Sequence, residues 1–544
     1  MMRDQTATHD ERFVRHARTF AGITLISRVF GLVRDGLLAR LWGASAVATA
    51  FNNAFQVPNT FRRLFGEGAL SAAFIPEYAK LIRDDPALAS RFASLVISAM
   101  AAILGAITLA AVGGLLIVLA AVEMPEAGRR AITLTAIMLP YMPLVCITAI
   151  LGGMLQTHGR FAAQAGAPVI LNLCMIAAAG VGGLLLGASM WATALGVSVA
   201  VAVAGGLQLA WCLRDLKGRA AWTSLRDGAR EPTRRMLRRM GPVIIGLGAM
   251  QLCILIESQV LLNWPLFVES SMVRVPWSAE PVPYPLDQGA GAALGWAQRL
   301  YQFPLGVFGI ALATAVFPLL ARQADDHAAF VATLRRSIRL SLFIGLPATA
   351  GMLMVRTDLV AVIYLGRTFT PETVERVAAI LFMYAVAIGA FSLTHVLTRA
   401  FYAKGQTVLP MRLAILTVAL TLGLDVVLMW PLAEAGLALA ASIAAGVQCL
   451  LLLWFANRLH PDQLTLDRAT LLGIARAGVA TLAMLGVLLL GKRLIPPPPI
   501  GNWTAHLVRL AADIGIGGGV YFAMAWLLCR DELRWLRDRS ARAA

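Results

Sequence analysis

Windows of 18 or more predominantly apolar residues recur along nearly the whole of this 544-residue chain, and that recurrence narrows the possible folds most. A backbone crossing lipid finds no water, so every N–H and C=O must be satisfied by a helix or by a closed barrel. The runs are about twice as long as barrel strands and do not alternate, so they are read as helices. Fourteen candidate spans result, the first near residues 20–41 and the last near 507–529. With 58% hydrophobic and 14% charged residues and a mean hydropathy of +0.72, the chain falls outside the range of soluble globular proteins. The expected fold class is all-α and polytopic.

The polar N-terminal stretch 1–18 contains no short apolar core followed by a small-residue cleavage site, so the first helix is expected to direct insertion. Six cysteines lie in or beside apolar runs without CxxC spacing and read as small core residues. The net charge of +17 is unevenly spread: Arg214 to Arg239 holds nine Lys/Arg and the tail after Cys529 holds five Arg, whereas Trp264 to Ala290 holds one Arg beside Glu269, Glu280 and Asp287. The positive-inside rule then places both termini and the even-numbered connections in the cytoplasm. An anionic leaflet attracts such loops, which makes nucleic acid a poor account of the basicity.

Against this apolar background, arginines in or beside the first two spans stand out: Arg28 and Arg34 in SRVFGLVRD, and Arg62 and Arg63 in PNTFRRLFGE. An arginine at the bilayer centre costs about 2.5–3.5 kcal/mol on insertion scales, so a group of them implies protein, water or an anionic ligand nearby. Snorkelling to the headgroups is the alternative, above all for Arg62 and Arg63 near a helix end. Asp35 lies on the Arg28 face at helical spacing, with Arg34 about 120° away. The second span adds Asn52, Asn53, Gln56 and Asn59, read as the lining of a hydrated cavity or as interhelical hydrogen bonding.

Residues 69–80, ALSAAFIPEYAK, align without a gap on residues 311–322, ALATAVFPLLAR. The match falls at the ends of the second and eighth spans, implying parallel six-helix units of the kind found in transporters. The expected organisation is an N-terminal lobe 1–213, a basic linker 214–239, a C-terminal lobe 240–457 and a C-terminal helix pair with a basic tail, 458–544. In the second lobe Arg299 and Gln302 lie one turn apart ahead of Pro304. Glu257 and Asp425 are carboxylates at membrane depth, suited to a coupling cation such as Na⁺ or H⁺, to pairing with an arginine, or to protonation. The proline-rich stretch between Pro265 and Pro285 reads as an extended insertion. The final helix pair reads as simple packing or as a side groove for something long and apolar.

The stretches SRVFGLVRD, VPNTFRRLFGEGALSAAFIPEYAK, AQRLYQFPLGVFGIALATAVFP and AFYAKGQTVLP together resemble the MurJ/MviN family, the lipid II flippases of bacterial cell-wall synthesis in the MOP transporter superfamily. That resemblance implies two six-helix lobes in a V around a cationic cavity, with the last two helices forming a groove for a polyprenyl tail. It assigns the substrate-binding arginines to Arg28, Arg34, Arg62 and Arg299, with Asp35 beside them and Arg63 accessory. Thr49 and Gln302 stand where the family often carries acids, which makes the cavity more positive.

The expected activity is non-hydrolytic flipping of lipid II across the inner membrane by alternating access. Lipid II and the bilayer are the partners, cell-wall synthesis enzymes are further candidates, and no nucleic acid is involved. Guanidinium forks suit a diphosphate. The chain has no GxxxxGK[ST] motif, so membrane potential or a coupling cation, not ATP, is the expected drive, with no other cofactor. Rival readings are export of another polyprenyl-linked oligosaccharide or of a drug, a membrane-embedded transferase, and a non-transporting scaffold. A drug exporter would favour carboxylates for cationic cargo, and a transferase would need an acidic metal-binding cluster that the sequence does not display.

Overall fold

The computed structural model describes residues 22–23, 26–64, 70–268, 272–275, 278–459 and 466–537. The N-terminal tail 1–18, Glu67, Ala69 of the repeat, Glu269 and the last arginines of the tail lie outside them. Packing divides the chain into two units, Met1–Val282 and Pro283–Ala544.

In the first unit, helix α1 covers residues 26–42 and stops at Gly43, whose φ of +59° suits a residue without a Cβ. Ser45 then caps α2 (Ala46–Phe61), its hydroxyl accepting from the Ala48 N–H at 3.3 Å. A π turn at 62–64 follows the helix-weakening Pro58. The unit continues through α3 (Leu70–Asp84), α4 (Pro86–Ala121), α5 (Glu126–Met138), α6 (Tyr141–Thr157), α7 (Ala162–Ala179), α8 (Met190–Leu216) and α9 (Arg230–Ile256), ending in the short α10 (Trp264–Phe267). Asp85 caps α4 and Pro86 opens it, which fixes the entry of a 36-residue helix about 54 Å long. Phe74, Tyr78 and Phe92 stack in the core between α3, α4 and α6. Helix α9 begins in the basic stretch 214–239 and runs into the seventh span; its first turns pack against α3 and α4 through Met236 and Met240, and Arg235 donates to the buried Glu77 at 2.8 Å.

The second unit contains α11 (Ala290–Pro304), α12 (Ile310–Arg322), α13 (His327–Tyr364), α14 (Pro371–Ala385), α15 (Ile388–Ala403), α16 (Val408–Leu432), α17 (Glu434–Leu459), α18 (Arg468–Leu494), α19 (Trp503–Leu528) and α20 (Arg530–Arg537). Helices α11 and α12 are joined by a π segment, Leu305–Gly309, after Pro304. Both halves of the sequence repeat therefore lie on a helix with an internal proline, Pro76 in α3 and Pro318 in α12. A tight turn links α16 to α17: Ala433 has a φ of 50°, and a Cβ on Gly436 would sit 2.2 Å from the Leu428 carbonyl oxygen.

The C-terminal pair α18–α19 packs on α13 through Phe343, Met484, Leu488 and Tyr521. Buried polar contacts reinforce that face. His506 Nδ1 lies 2.7 Å from Asp358 Oδ1, and Arg509 Nε lies 3.7 Å from the other Asp358 oxygen. Toward the opposite end of α13, Arg339 pairs with the buried Glu532 at 2.6 Å, and its guanidinium and that of Arg336 lie over the Trp535 ring.

The all-α polytopic expectation is borne out. Among the described residues nine helices are long and apolar enough to cross a membrane, or ten if the bent pair α14–α15 forms one span. Within the described residues the fourteen windows fall on helix almost throughout; α1, α2, α11 and α12 are each too short to count on length, and α9, which carries the seventh window, is not among the helices counted. In the proline-rich stretch, expected to be extended, Met272–Val273 and Val282–Pro283 pair as a two-stranded sheet. All of the described cysteines but Cys174 are buried.

Near the N-terminal end of α14, Arg376 grips both oxygens of Asp287, which lies outside the spans, at 2.7 and 2.9 Å and the buried Glu434 at 2.5 Å. Partial desolvation works against the Asp287 charge, but the hydrogen bonds and charge of Arg376, with the Gly289 and Ala290 N–H groups, outweigh it and hold this carboxyl below its ordinary value. We predict that Arg376→Ala, by stranding Glu434, costs about 1–3 kcal/mol, read as a lower Tm at neutral pH. Because the folded value of Asp287 is depressed, its contribution is present above about pH 4 and fades as pH falls through that lower folded value. The Tm gap between wild type and variant should therefore narrow on acidification below about pH 4; a gap that widens there would contradict the assignment.

Candidate functional site

Helix α1 carries Arg28, Arg34 and Asp35, and the crossing of α7 decides what they meet. Asn172 on α7 accepts from Arg34 Nη1 at 2.8 Å and donates to the Ser27 carbonyl at 3.1 Å. Arg34 Nε and Nη2 donate to Asp35 Oδ1 at 2.9 and 2.7 Å. Gly31 faces Asn172 across this crossing, where a Cβ would lie 3.7 Å from Asn172 Nδ2. Arg34 is thus fixed by one charged and one neutral acceptor. Two of its five N–H groups remain beyond these bonds among the described residues. Asp35 is 6% exposed, and burying it is acceptable because Arg34 accompanies it. Arg28 lies half-buried two turns earlier.

Arg62 and Arg63 occupy the π turn that ends the second span, both half-buried. Arg62 Nε donates to Asn59 Oδ1 at 3.1 Å, so a neighbour on its own helix turn orients the guanidinium. Tyr141 at the start of α6 is fully buried, stacks on Phe55 and lies within Coulombic range of both Arg62 and Arg34. Phe51, Phe55 and Tyr141 form an aromatic ladder from α2 to α6.

The polar residues of α2 divide. Asn53 is buried and donates to Asn263 Oδ1 at 2.8 Å; Asn263 donates to Gln259 Oε1 at 2.9 Å, and Gln259 returns a bond to the Asn53 carbonyl at 2.9 Å. This closed triangle is interhelical hydrogen bonding, the second of the two readings open from the sequence. Asn52, Gln56 and Asn59 are half-buried, and Gln56 reaches Thr60 at 3.5 Å. Thr49 is fully buried. Glu257 is half-buried at the head of the π segment Glu257–Leu261, next to Ser258 and Gln259 of the same polar group.

In the second unit, Arg299 lies over the buried Trp296 ring at 4.5 Å, a cation–π contact that holds the guanidinium against α11. The Tyr364 hydroxyl donates to the Trp296 carbonyl at 3.2 Å and ties that platform to α13. Gln302, one turn on, is exposed, and Asp425 is fully buried within α16. Among the described residues no cluster of three or more His, Cys, Asp or Glu side chains is arranged to hold a metal ion.

Sequence reasoning missed Asn172, Gln259 and Asn263, the groups that hold Arg34 and Asn53. A lone asparagine in the apolar run APVILNLCMIAAAG was the available signal for the first.

The fold is that of multi-span transporters. It superimposes on a structure titled lipid II flippase MurJ, inward closed conformation, with a TM-score of 0.77 at 22% identity, covering 95% of this chain and 99% of that one. It also matches an inward-facing multidrug resistance MATE transporter of the MOP superfamily, with a TM-score of 0.60 at 15% identity over 82% of this chain and 98% of that one. The sequence model of the family described as Lipid II flippase MurJ matches residues 38–498. A probable lipid II flippase MurJ of Rhizobium meliloti is 32% identical over 98% of this chain and 97% of its own length. The chain belongs to the MurJ family, a family of transporters and not of enzymes.

Because Asn53 is buried with its partner, we predict that Asn53→Leu lowers stability by about 1 kcal/mol, the scale of interhelical hydrogen bonds in membranes. Thermal unfolding in detergent measures it, and an unchanged midpoint would mean that the triangle contributes nothing.

Proposed function

We propose that this protein flips lipid II, the polyprenyl-diphosphate-linked peptidoglycan precursor, from the inner to the outer leaflet of the bacterial inner membrane, with both termini in the cytoplasm. Family membership over nearly the whole chain carries this reading, and the chemistry of the arginines supports it. A diphosphate offers several anionic oxygens, and a guanidinium fork meets two of them with charge-assisted hydrogen bonds. Arg34 is already oriented by Asp35 and Asn172, so less side-chain entropy is lost when it takes up an anion. Arg62 lies near the same tyrosine; Arg28, Arg63 and Arg299 complete the proposed set, with Asn52, Gln56, Asn59 and Gln302 as polar lining. The headgroup travels among these groups while the tail stays in lipid along the C-terminal helix pair, and two six-helix lobes alternate access.

The proposed drive is the membrane potential, about 2.3 kcal/mol per charge per 100 mV. With the interior negative, an anionic headgroup is driven outward and an empty arginine-lined cavity is drawn back inward. Glu257 and Asp425 are the proposed sites for a coupling cation, Na⁺ or H⁺.

Depletion and complementation test the site. Arg28→Ala, Arg34→Ala and Arg299→Ala should insert at wild-type levels yet fail to restore outward exposure of lipid II, with flipping in proteoliposomes lower by roughly 10- to 100-fold, the loss of one charged hydrogen bond in each case. Full complementation by these variants would sink the site assignment. An imposed potential, negative inside, should accelerate outward flipping by wild type; indifference to it would leave the proposed drive without support.

A further inference from the structure

A cavity of about 400 Å³ in the first unit takes no part in the chemistry above. Its walls include Tyr78, Ile82, Ala89, Ser90, His158 and Arg219. That volume suits a small ligand or a lipid headgroup, and the position of the lining residues favours the second. Three membrane helices begin or end at it: the span Pro86–Ala121 starts there, Glu126–Thr157 stops one residue before His158, and Met190–Leu216 stops just before Gly218–Ala221. The walls therefore lie where hydrocarbon gives way to headgroups. Trp222, next along the chain, is 47% exposed, as befits an indole in the interfacial layer.

The polar groups favour an anion. No carboxylate is among the lining residues, and Asp85, adjacent in sequence, is turned to cap α4 by accepting from the Leu88 N–H at 3.0 Å. Arg219 is exposed and donates from Nη1 to the Asp215 carbonyl at 2.8 Å, which steadies the guanidinium beside the opening. His158 Nε2 lies 3.4 Å from the buried Tyr78 hydroxyl. With that hydroxyl donating, the imidazole proton sits on Nδ1 and is available as a donor. Burial, and then the nearby Arg219 charge, hold the imidazole below its ordinary pKa, as expected where a second positive charge would be unwelcome until an anion arrives. Ile82 and Ala89 supply an apolar wall of the kind a glycerol backbone meets.

We propose that this cavity binds the phosphate group of an anionic membrane lipid, in the leaflet that faces the basic loops, through Arg219 and His158. The test uses the full chain in nanodiscs containing equal amounts of phosphatidylglycerol and phosphatidylcholine, with co-purified lipid counted by native mass spectrometry. Wild type should retain phosphatidylglycerol preferentially. Arg219→Gln should reduce that preference roughly fivefold, the effect of one interfacial basic residue, and adding His158→Gln should reduce it further. Arg226→Gln, which alters an exposed arginine of the same linker outside the cavity, should leave it intact. An equal loss in Arg226→Gln, or no loss in Arg219→Gln at unchanged Tm, would overturn the proposal. So would inorganic phosphate alone, at millimolar concentration, displacing the retained lipid or stabilising detergent-solubilised wild type as strongly as phosphatidylglycerol does, since that identifies a free-anion site. The readout is binding and is independent of flipping.

Discussion

A charged or amide side chain at membrane depth must find its partner inside the protein, because lipid offers none. In this chain that demand sets which helices cross and where. Arg34 draws Asn172 from α7 onto α1, and Asn53 draws Asn263 and Gln259 onto α2. Apolar packing alone does not select partners so sharply, since lipid tails are as apolar as leucine. The polar contacts give the first unit its register, and one of them holds Arg34.

The second unit follows the same rule for a different end. Asp358, His506 and Arg509 meet where α19 packs on α13, and Arg339 meets Glu532 and Trp535 toward the other end of α13. Separating α19 from α13 would leave Asp358 and His506, both nearly fully buried, facing hydrocarbon; breaking a buried pair by removing one partner costs about 3–5 kcal/mol. The C-terminal pair is therefore an integral part of its unit.

Much of this was legible in the sequence. Within the described residues the apolar windows fall on helix, since that signal is local, whereas the start of α4 at Asp85–Pro86 lies ahead of its apolar run and went unread. Arg28, Arg34, Arg62 and Arg299 stand out because charge among apolar residues needs a reason. What the sequence hid was pairing at a distance. Asn172 lies 138 residues from Arg34, and nothing in its neighbours separates it from an asparagine bonded to its own helix. The two-residue strands in the proline-rich stretch lie below any periodicity signal.

The π segments have a consequence of their own. Widening a helix by one residue per turn shifts its angular phase by about 100°, so the faces before and after the segment are set independently. Leu305–Gly309 separates the face of α11 that carries Arg299 from the apolar face of α12, and residues 62–64 mark a similar seam after α2. One continuous crossing can thereby show a guanidinium in one direction and seat its lower half in another. Losing a single residue at such a seam would swing the cation around the helix axis while every apolar contact below stayed in place.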